Sequence, residues 1–331
     1  MIKIVTFGGG GGQAQILSSL NKIPNLDITA ICTASDSGGS TGILRKEYRK
    51  DKVCGYIGDV SKCLWALSNK TKLENTMMFR FTKGKLENHS LKNLIYTALI
   101  IENGPTKALQ LMHKVFGLNS NHKVFPVSIE NTTLHVKLKS GQVIPGETYI
   151  DTISRNNLWH PEHNKIVDVW LNPKVKMLPQ LKQVIENADY IMMCPGDLFT
   201  SLIPSLLPLG VSNAIAKSKA KIIFITNIMT KLGETDEFTI SDFINQVTKR
   251  IENREPDYVI SNNGKIPINL LKKYKIREHK VEVVLPDKKE LSALGIILIC
   301  ENLWAVDKKG HVRHNSEKIT KVLTNIFYSN K

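Results

Sequence analysis

Ile2-Lys3-Ile4-Val5-Thr6-Phe7-Gly8-Gly9-Gly10-Gly11-Gly12-Gln13-Ala14-Gln15-Ile16-Leu17-Ser18-Ser19-Leu20 opens the chain, and its reading decides the fold. Lys3–Phe7 is short and β-branched, as a buried strand requires. Five consecutive glycines, Gly8 to Gly12, follow it. From Gln13 to Lys22 the residues Ile16, Leu17 and Leu20, with Ile23 just beyond, recur at helical spacing. Strand, glycine turn and helix in that order suit a phosphate. Glycine lets the backbone approach a diphosphate closely, and the helix N-terminus offers unpaired N–H groups and a partial positive charge. Gly9-x-Gly11-x-x-Ala14 satisfies the dinucleotide fingerprint in one register. A run of glycines matches many registers, and a tight turn without ligand is the plainer alternative.

Outward from this unit, Ile28–Cys32 reads as the next buried strand, and strand–helix alternation implies βαβ units and a parallel sheet. Residues 43–117 are helical in pattern: Asp59–Ser68 places Val60, Cys63, Leu64 and Leu67 on one face, and Leu91–Ile101 and Thr106–Phe116 follow, with Pro105 at the start of the latter. From Lys123 to Leu171 the period becomes two. Leu134, Val136 and Leu138 alternate with His135 and Lys137, and Ser140-Gly141 supplies a turn. Strands are then expected at Tyr190–Met193, Lys221–Thr226 and Tyr258–Ser261, and later near Val281–Val284 and Gly295–Ile299. Helices are expected near Met177–Glu186, Val211–Lys217, Ile240–Ile251, Pro267–Tyr274 and Glu317–Tyr328. The fold class is α/β: a single domain over residues 1–331, its sheet mainly parallel with helices on both faces, and a small β-rich insertion at 123–171.

Composition narrows the function. With 42% apolar and 23% charged residues the chain has the make-up of an ordinary soluble globular protein. Its longest apolar run, around Ala293 to Cys300, is far short of a membrane span, and the first residues have no signal-peptide pattern. Cys32, Cys54, Cys63, Cys194 and Cys300 are odd in number and never in a C-x-x-C pair, which fits reduced thiols in a cytoplasmic protein. The net charge of +15 is mostly lysine spread along the chain, without a nucleic-acid motif, so nucleic acid is not expected and an anionic small ligand is.

In an open parallel sheet, ligands bind outside the carboxyl ends of the strands. Five loops rich in small and polar residues follow expected strands: Gly8–Gly12, Thr33–Gly42, Pro195–Ser201, Asn227–Asp236 and Ser261–Gly264. Candidate ligand contacts are Gly9, Gly10, Gly11 and Gly12 for a diphosphate, then Asp36, Gly38, Gly39 and Ser40, and then Pro195, Gly196, Asp197, Thr200 and Ser201. Asn227, Thr230 and Glu234 lie together in the next such loop. Asn93 stands four residues after His89 on one helical face, a spacing that also suits a merely satisfied pair. A nicotinamide cofactor is not expected, because Cys32 and Thr33 stand where a ribose-binding carboxylate belongs. No flavin is expected either, and no P-loop occurs. Asp36 and Asp59 are candidate Mg²⁺ ligands beside a diphosphate; equally, Asp59 could simply cap the helix after Gly58. No residue is assigned a catalytic role, and a homo-oligomer is left open.

Six segments in order resemble the YvcK/CofD-like family from about Ile4 to Asp242. Gly8, Gly9, Gly10 and Gly12 are similar to its V-x-x-G-G-G-x-G, and Thr33 to Arg45 to its T-x-A-D-D-G-G-S-S-G-x-L-R. Gly58-Asp59 with Ala66-Leu67-Ser68, and Arg80-Phe81 with His89 and Asn93, resemble two further motifs. Pro195-Gly196-x-Leu198-x-Thr200-Ser201-x-x-Pro204 and Asn227-x-Met229-Thr230-x-x-Gly233-Glu234-Thr235-Asp236 are the most telling. The resemblance implies a Rossmann-like fold and one of two activities. The YvcK-type branch, named for a gluconeogenesis factor, binds UDP-sugars and influences carbon metabolism and cell shape. The CofD branch is a Mg²⁺-dependent transferase that moves a phospholactyl group from a nucleotide diphosphate donor onto a deazaflavin. The later motifs place the chain nearer the first. It departs from the pattern at Gly11 (usually Thr), Ser37 (Asp), Lys92 (Gly), Cys194 (Gly) and Asp197 (Ser). A carboxylate at Asp197 would repel a diphosphate unless a metal or a lysine offset it.

Overall fold

The computed structural model describes residues 1–69, 71–147, 150, 165–272 and 281–328. Seven strands form one sheet: β1 (Ile2–Gly8), β2 (Leu26–Cys32), β3 (His122–Pro126), β7 (Tyr190–Met193), β8 (Lys221–Ile225), β9 (Tyr258–Asn262) and β10 (Ile297–Glu301). Their order is β10-β9-β8-β7-β1-β2-β3, and every pair is parallel. The order runs outward in one direction from β1 and in the other from β7, so the topological switch point lies between those two strands. Crevices for ligands open at such points.

Both sheet faces are covered, which explains the nearly continuous apolar strands. Ile4, Ile28, Ala30 and Met192 belong to one core with the helices α1 (Gly10–Leu20), α3 (Ile57–Leu67) and α5 (Leu91–Val115) and the C-terminal helix Ser316–Tyr328. Val5, Phe7, Ile31, Ile191 and Met193 point the other way into a second core. Between them in sequence lie the short helices α2 (Gly39–Glu47) and α4 (Lys72–Met77). The helical run 91–115 is broken at Gly104, which has φ 75°, with Pro105 beginning the second part.

The insertion is a three-stranded antiparallel sheet, β5-β4-β6, made of β4 (Thr133–Leu138), β5 (Val143–Pro145) and β6 (Ile166–Asn172). Its first expected residues belong elsewhere: 122–126 form the edge strand of the main sheet. An edge strand buried on one side alternates just as an insertion strand does, so periodicity could not separate them. Residues 148–149 and 151–164 of the insertion, and 273–274 of the expected helix Pro267–Tyr274, lie outside the described residues. Val281–Val284 is not a strand but a segment with a single bridge, Met229 to Val283. A hairpin missed in the sequence, β11 (Trp304–Val306) with β12 (Val312–His314), follows β10. Among the described residues no helix is long and apolar enough to cross a membrane.

Candidate functional site

The glycine turn lies at the switch point. Gly9 precedes α1 in extended conformation, and Gly10 has φ 60°, in the left-handed region that glycine enters without strain. Gly12 is packed so closely on the loop after β7 that a Cβ would lie 2.0 Å from the Pro195 carbonyl oxygen. A Cβ on Gly9 would lie 2.7 Å from an Asp59 oxygen, so the carboxylate is laid against the turn. Beneath, buried Gln13 donates from Nε2 to the Thr6 carbonyl (3.2 Å), the Thr6 hydroxyl (3.1 Å) and the Ile31 carbonyl (3.1 Å). This one side chain ties the start of α1 to the ends of β1 and β2.

The turn borders a cavity of about 1470 Å³. Residues from the loops after β1, β2, β7 and β8 line it, together with α3 and the β11–β12 hairpin. Of the expected contacts it brings together Gly9, Gly10, Gly11 and Gly12; Asp36 and Asp59; Pro195, Gly196, Asp197 and Ser201; and Asn227 and Thr230. Gly38, Gly39, Ser40, Asn93, Thr200 and Glu234 do not line it. The Ser40 hydroxyl instead pairs with the His89 ring (3.1 Å), and Asn93 Nδ2 donates to the Thr41 hydroxyl (3.4 Å). The loop Ser261–Gly264 also stands apart, with Gly264 packed under Asn302 and Trp304.

Several lining residues are committed to holding loops in place. The Asn227 amide both accepts from Gly196 N (3.1 Å) and donates to Gly196 O (2.8 Å). Thr230 brackets Glu282, donating from its amide to the Glu282 carbonyl (2.8 Å) and accepting from the Glu282 amide at its hydroxyl (2.9 Å). Buried Glu234 accepts from Phe199 N (3.3 Å) and the Thr200 hydroxyl (3.5 Å). Lys231 Nζ lies 2.6 Å from both Glu234 and Asp197. Asp197 thus has a lysine beside it, but one that it shares with Glu234.

Asp59 does not cap its helix. That helix begins at Ile57, its N-cap residue is Tyr56, and Asp59 sits in the first turn with its carboxylate on Lys62 Nζ at 3.2 Å. Asp59 in turn holds the Lys62 ammonium well above the ordinary lysine range. Burial, and then the neighbouring Asp59 charge, push the Asp36 carboxyl up, while hydrogen bonds from Gly38 N (2.8 Å) and Glu147 work the other way. Two carboxylates competing for one patch of charge are a donor set that a hard cation relieves. Mg²⁺ commonly takes one or two carboxylates and completes its shell with water and phosphate oxygens. Asp36 and Asp59 fit that role, although among the described residues no group of three or more His, Cys, Asp or Glu forms a closed metal site.

Lys62, Glu147, Lys231 and the hairpin residues His311 and Arg313 also line the cavity and were not expected from sequence. Lys62 had a usable signal, since it follows Asp59 by three on one helix. Lys231 also lay within the expected loop Asn227–Asp236, next to Thr230, whereas Glu147 and the hairpin residues depend on long-range packing. None of the five cysteines is in a disulfide, and Cys32 and Cys63 approach to 3.5 Å between sulfurs. Burial raises the Cys32 and Cys194 thiols above the usual range, so they stay protonated.

Lys92, in place of the usual glycine, is buried and donates to the Gly58 carbonyl (3.3 Å) and Asn93 Oδ1 (2.9 Å). Burial, aided by Lys62, lowers its ammonium from the ordinary 10.5 to about 7. Between those values only the unfolded chain carries this proton, so this group's contribution to stability should rise with pH across that window and level off below pH 7, where both states carry it. The melting temperature at pH 9 minus that at pH 7 is expected to be larger for the wild type than for Lys92→Met. Equal differences would refute a titrating Lys92.

The family described as 2-phospho-L-lactate transferase CofD matches residues 4–304. The gluconeogenesis factor of Bacillus subtilis is 34% identical over 329 residues, covering 98% of each chain. That of Halalkalibacterium halodurans is 34% identical over 324 residues, covering 97% of this chain and 95% of the other. The crystal structure of a UPF0052 family member from Bacillus halodurans superposes with a TM-score of 0.87 at 33% identity, covering 97% of this chain and 99% of that one. Sequence and fold agree along nearly the whole length, and the chain therefore belongs to the CofD family, in the company of relatives named gluconeogenesis factor.

Proposed function

We propose that the chain binds a nucleotide diphosphate ligand, in the first instance a UDP-sugar, at the carboxyl edge of its sheet. The proposed role is regulatory, in carbon metabolism or cell shape, and the location cytoplasmic. One observation carries the reading: the β1–α1 glycine turn and the loop after β7 meet at the switch point, on the wall of one large cavity. Amides at the start of α1 would hold the diphosphate, with Lys62 opposing its charge and Asp36 and Asp59 positioned for Mg²⁺. The name carried by the relatives supports the metabolic role, and the five free cysteines suit a reducing compartment.

Thermal unfolding with UDP-N-acetylglucosamine, with and without Mg²⁺, tests this directly. Ligand at about 100 times its dissociation constant should add roughly 2.7 kcal/mol to stability. An upward shift that grows with Mg²⁺ is the expected result, and no shift at any concentration would overturn the UDP-sugar reading.

The description of the matched family names a transferase, and the second reading is accordingly a Mg²⁺-dependent transferase that would act from a nucleotide diphosphate donor onto a deazaflavin. The metal would neutralise charge on the departing diphosphate. A single-turnover assay with a phospholactyl donor and deazaflavin decides between them. Product supports the transferase; absence of product with tight UDP-sugar binding removes it.

A further inference from the structure

Asp197 is built as an acceptor with one oxygen committed and the other open. It stands where the chain leaves β7 and enters a helical turn at Leu198, a position from which an aspartate ordinarily caps the following amides. Its side chain makes no such cap. It turns instead toward the cavity, 42% exposed, and places Oδ2 on Lys231 Nζ at 2.6 Å. Lys231 is anchored from behind by Glu234, whose side chain is fully buried. Oδ1 of Asp197 has no hydrogen-bond partner among the described residues. The carboxylate is thus oriented before any ligand arrives, and two carboxylates sharing one lysine leave the cluster net negative.

Its neighbours say which part of a ligand it meets. The loop Pro195-Gly196 lies on Gly12, and an added Cβ on Gly196 would lie 3.7 Å from the Gly9 carbonyl. A diphosphate on the α1 amides is therefore next to Asp197. A carboxylate cannot accept from a phosphate, so its partner is a hydrogen-bond donor attached close to the diphosphate. In a nucleotide sugar, the groups joined directly to the diphosphate are the ribose and the sugar, and both present hydroxyls.

We infer that Asp197 is a specificity residue that accepts hydrogen bonds from ligand hydroxyls adjoining the diphosphate, with Lys231 as the residue that positions it. This rests on the nucleotide reading above. A serine in the same place, as the family pattern has, can serve a phosphate; the aspartate selects for hydroxyl donors and against bare anions.

The test is titration calorimetry of the wild type, Asp197→Ser and the isosteric Asp197→Asn with UDP, 2′-deoxy-UDP and UDP-N-acetylglucosamine. A hydrogen bond to a charged acceptor corresponds to about a tenfold to hundredfold change in affinity. The wild type is expected to discriminate by about that factor either between UDP and 2′-deoxy-UDP, which marks the ribose, or between UDP-N-acetylglucosamine and UDP, which marks the sugar. In Asp197→Ser that discrimination should fall toward unity. The half-exposed ion pair contributes little to stability, so the ligand-free variant should melt close to the wild type. Asp197→Asn supplies the same comparison if the serine variant folds poorly. Equal weakening for all three ligands would reduce Asp197 to a loop brace, and equal strengthening would make it a mere repeller; either overturns the inference while leaving nucleotide binding intact. A wild type that binds none of the three overturns the nucleotide reading, and the inference with it.

Discussion

Gly12→Ala is expected to weaken ligand binding by more than about a hundredfold, whereas Gly11→Ala, one residue away, should leave it nearly unchanged. A Cβ at Gly12 would sit 2.0 Å from the Pro195 carbonyl oxygen and 2.7 Å from its carbon, both of them backbone. No rotamer relieves that contact, so the glycine turn and the loop after β7 must move apart by about an ångström or more. Overpacking of this kind typically costs about 1–3 kcal/mol of stability. Binding should suffer more, because amides at the start of α1 would leave the diphosphate, and hydrogen bonds to charged groups contribute about 1.5–3 kcal/mol each. At Gly11 a Cβ meets nothing within 4 Å, and alanine inside a helix is favoured over glycine by about 1 kcal/mol. Calorimetry and thermal melts of the two variants check the contrast. Equal effects would show that the two loops do not depend on their contact at Gly12.

The second large effect is expected at Glu234, which does not line the cavity. Glu234→Ala should lower the unfolding free energy by about 2–4 kcal/mol, since it leaves buried hydrogen-bond donors without an acceptor at about 1–3 kcal/mol each. The Lys231 ammonium would lose its buried counter-charge, and Phe199 N and the Thr200 hydroxyl would lose their acceptor. Glu234→Gln keeps an acceptor without the charge, and its loss should be about 1–2 kcal/mol. Urea melts would rank the three proteins. If glutamine costs nothing, the charge at Glu234 contributes nothing and the Lys231 bridge is incidental; if alanine and glutamine cost the same, the charge is the whole effect. Because Lys231 also orients Asp197, both variants should relax ligand selectivity as well as stability.

Much of the site could be read in the chain because it is local. A strand, five glycines and a helix specify a βα turn wherever they occur, since the backbone freedom and the free amides belong to that segment alone. The strands at Tyr190, Lys221 and Tyr258 were legible for a similar reason: they are buried on both faces and read as unbroken apolar runs. Asp59 shows the limit. A carboxylate just after a glycine at a helix start looks like a cap, but the helix begins two residues earlier and the side chain goes to Lys62.

By itself, then, the sequence determined the α/β class, the glycine turn at the start of α1 and the set of loops that could carry a ligand. Periodicity and glycine placement act over a few residues, and those features need nothing more. Only the tertiary structure decided that β7 pairs with β1 and so puts Pro195 against Gly12. It also decided that Asp197 and Glu234 share Lys231, that Asn227 and Thr230 hold backbone, and that the β11–β12 hairpin completes the cavity wall. The physical reason is that strand order and ion pairing are settled by contacts between segments tens to hundreds of residues apart, where packing, burial and charge select partners that no local pattern encodes.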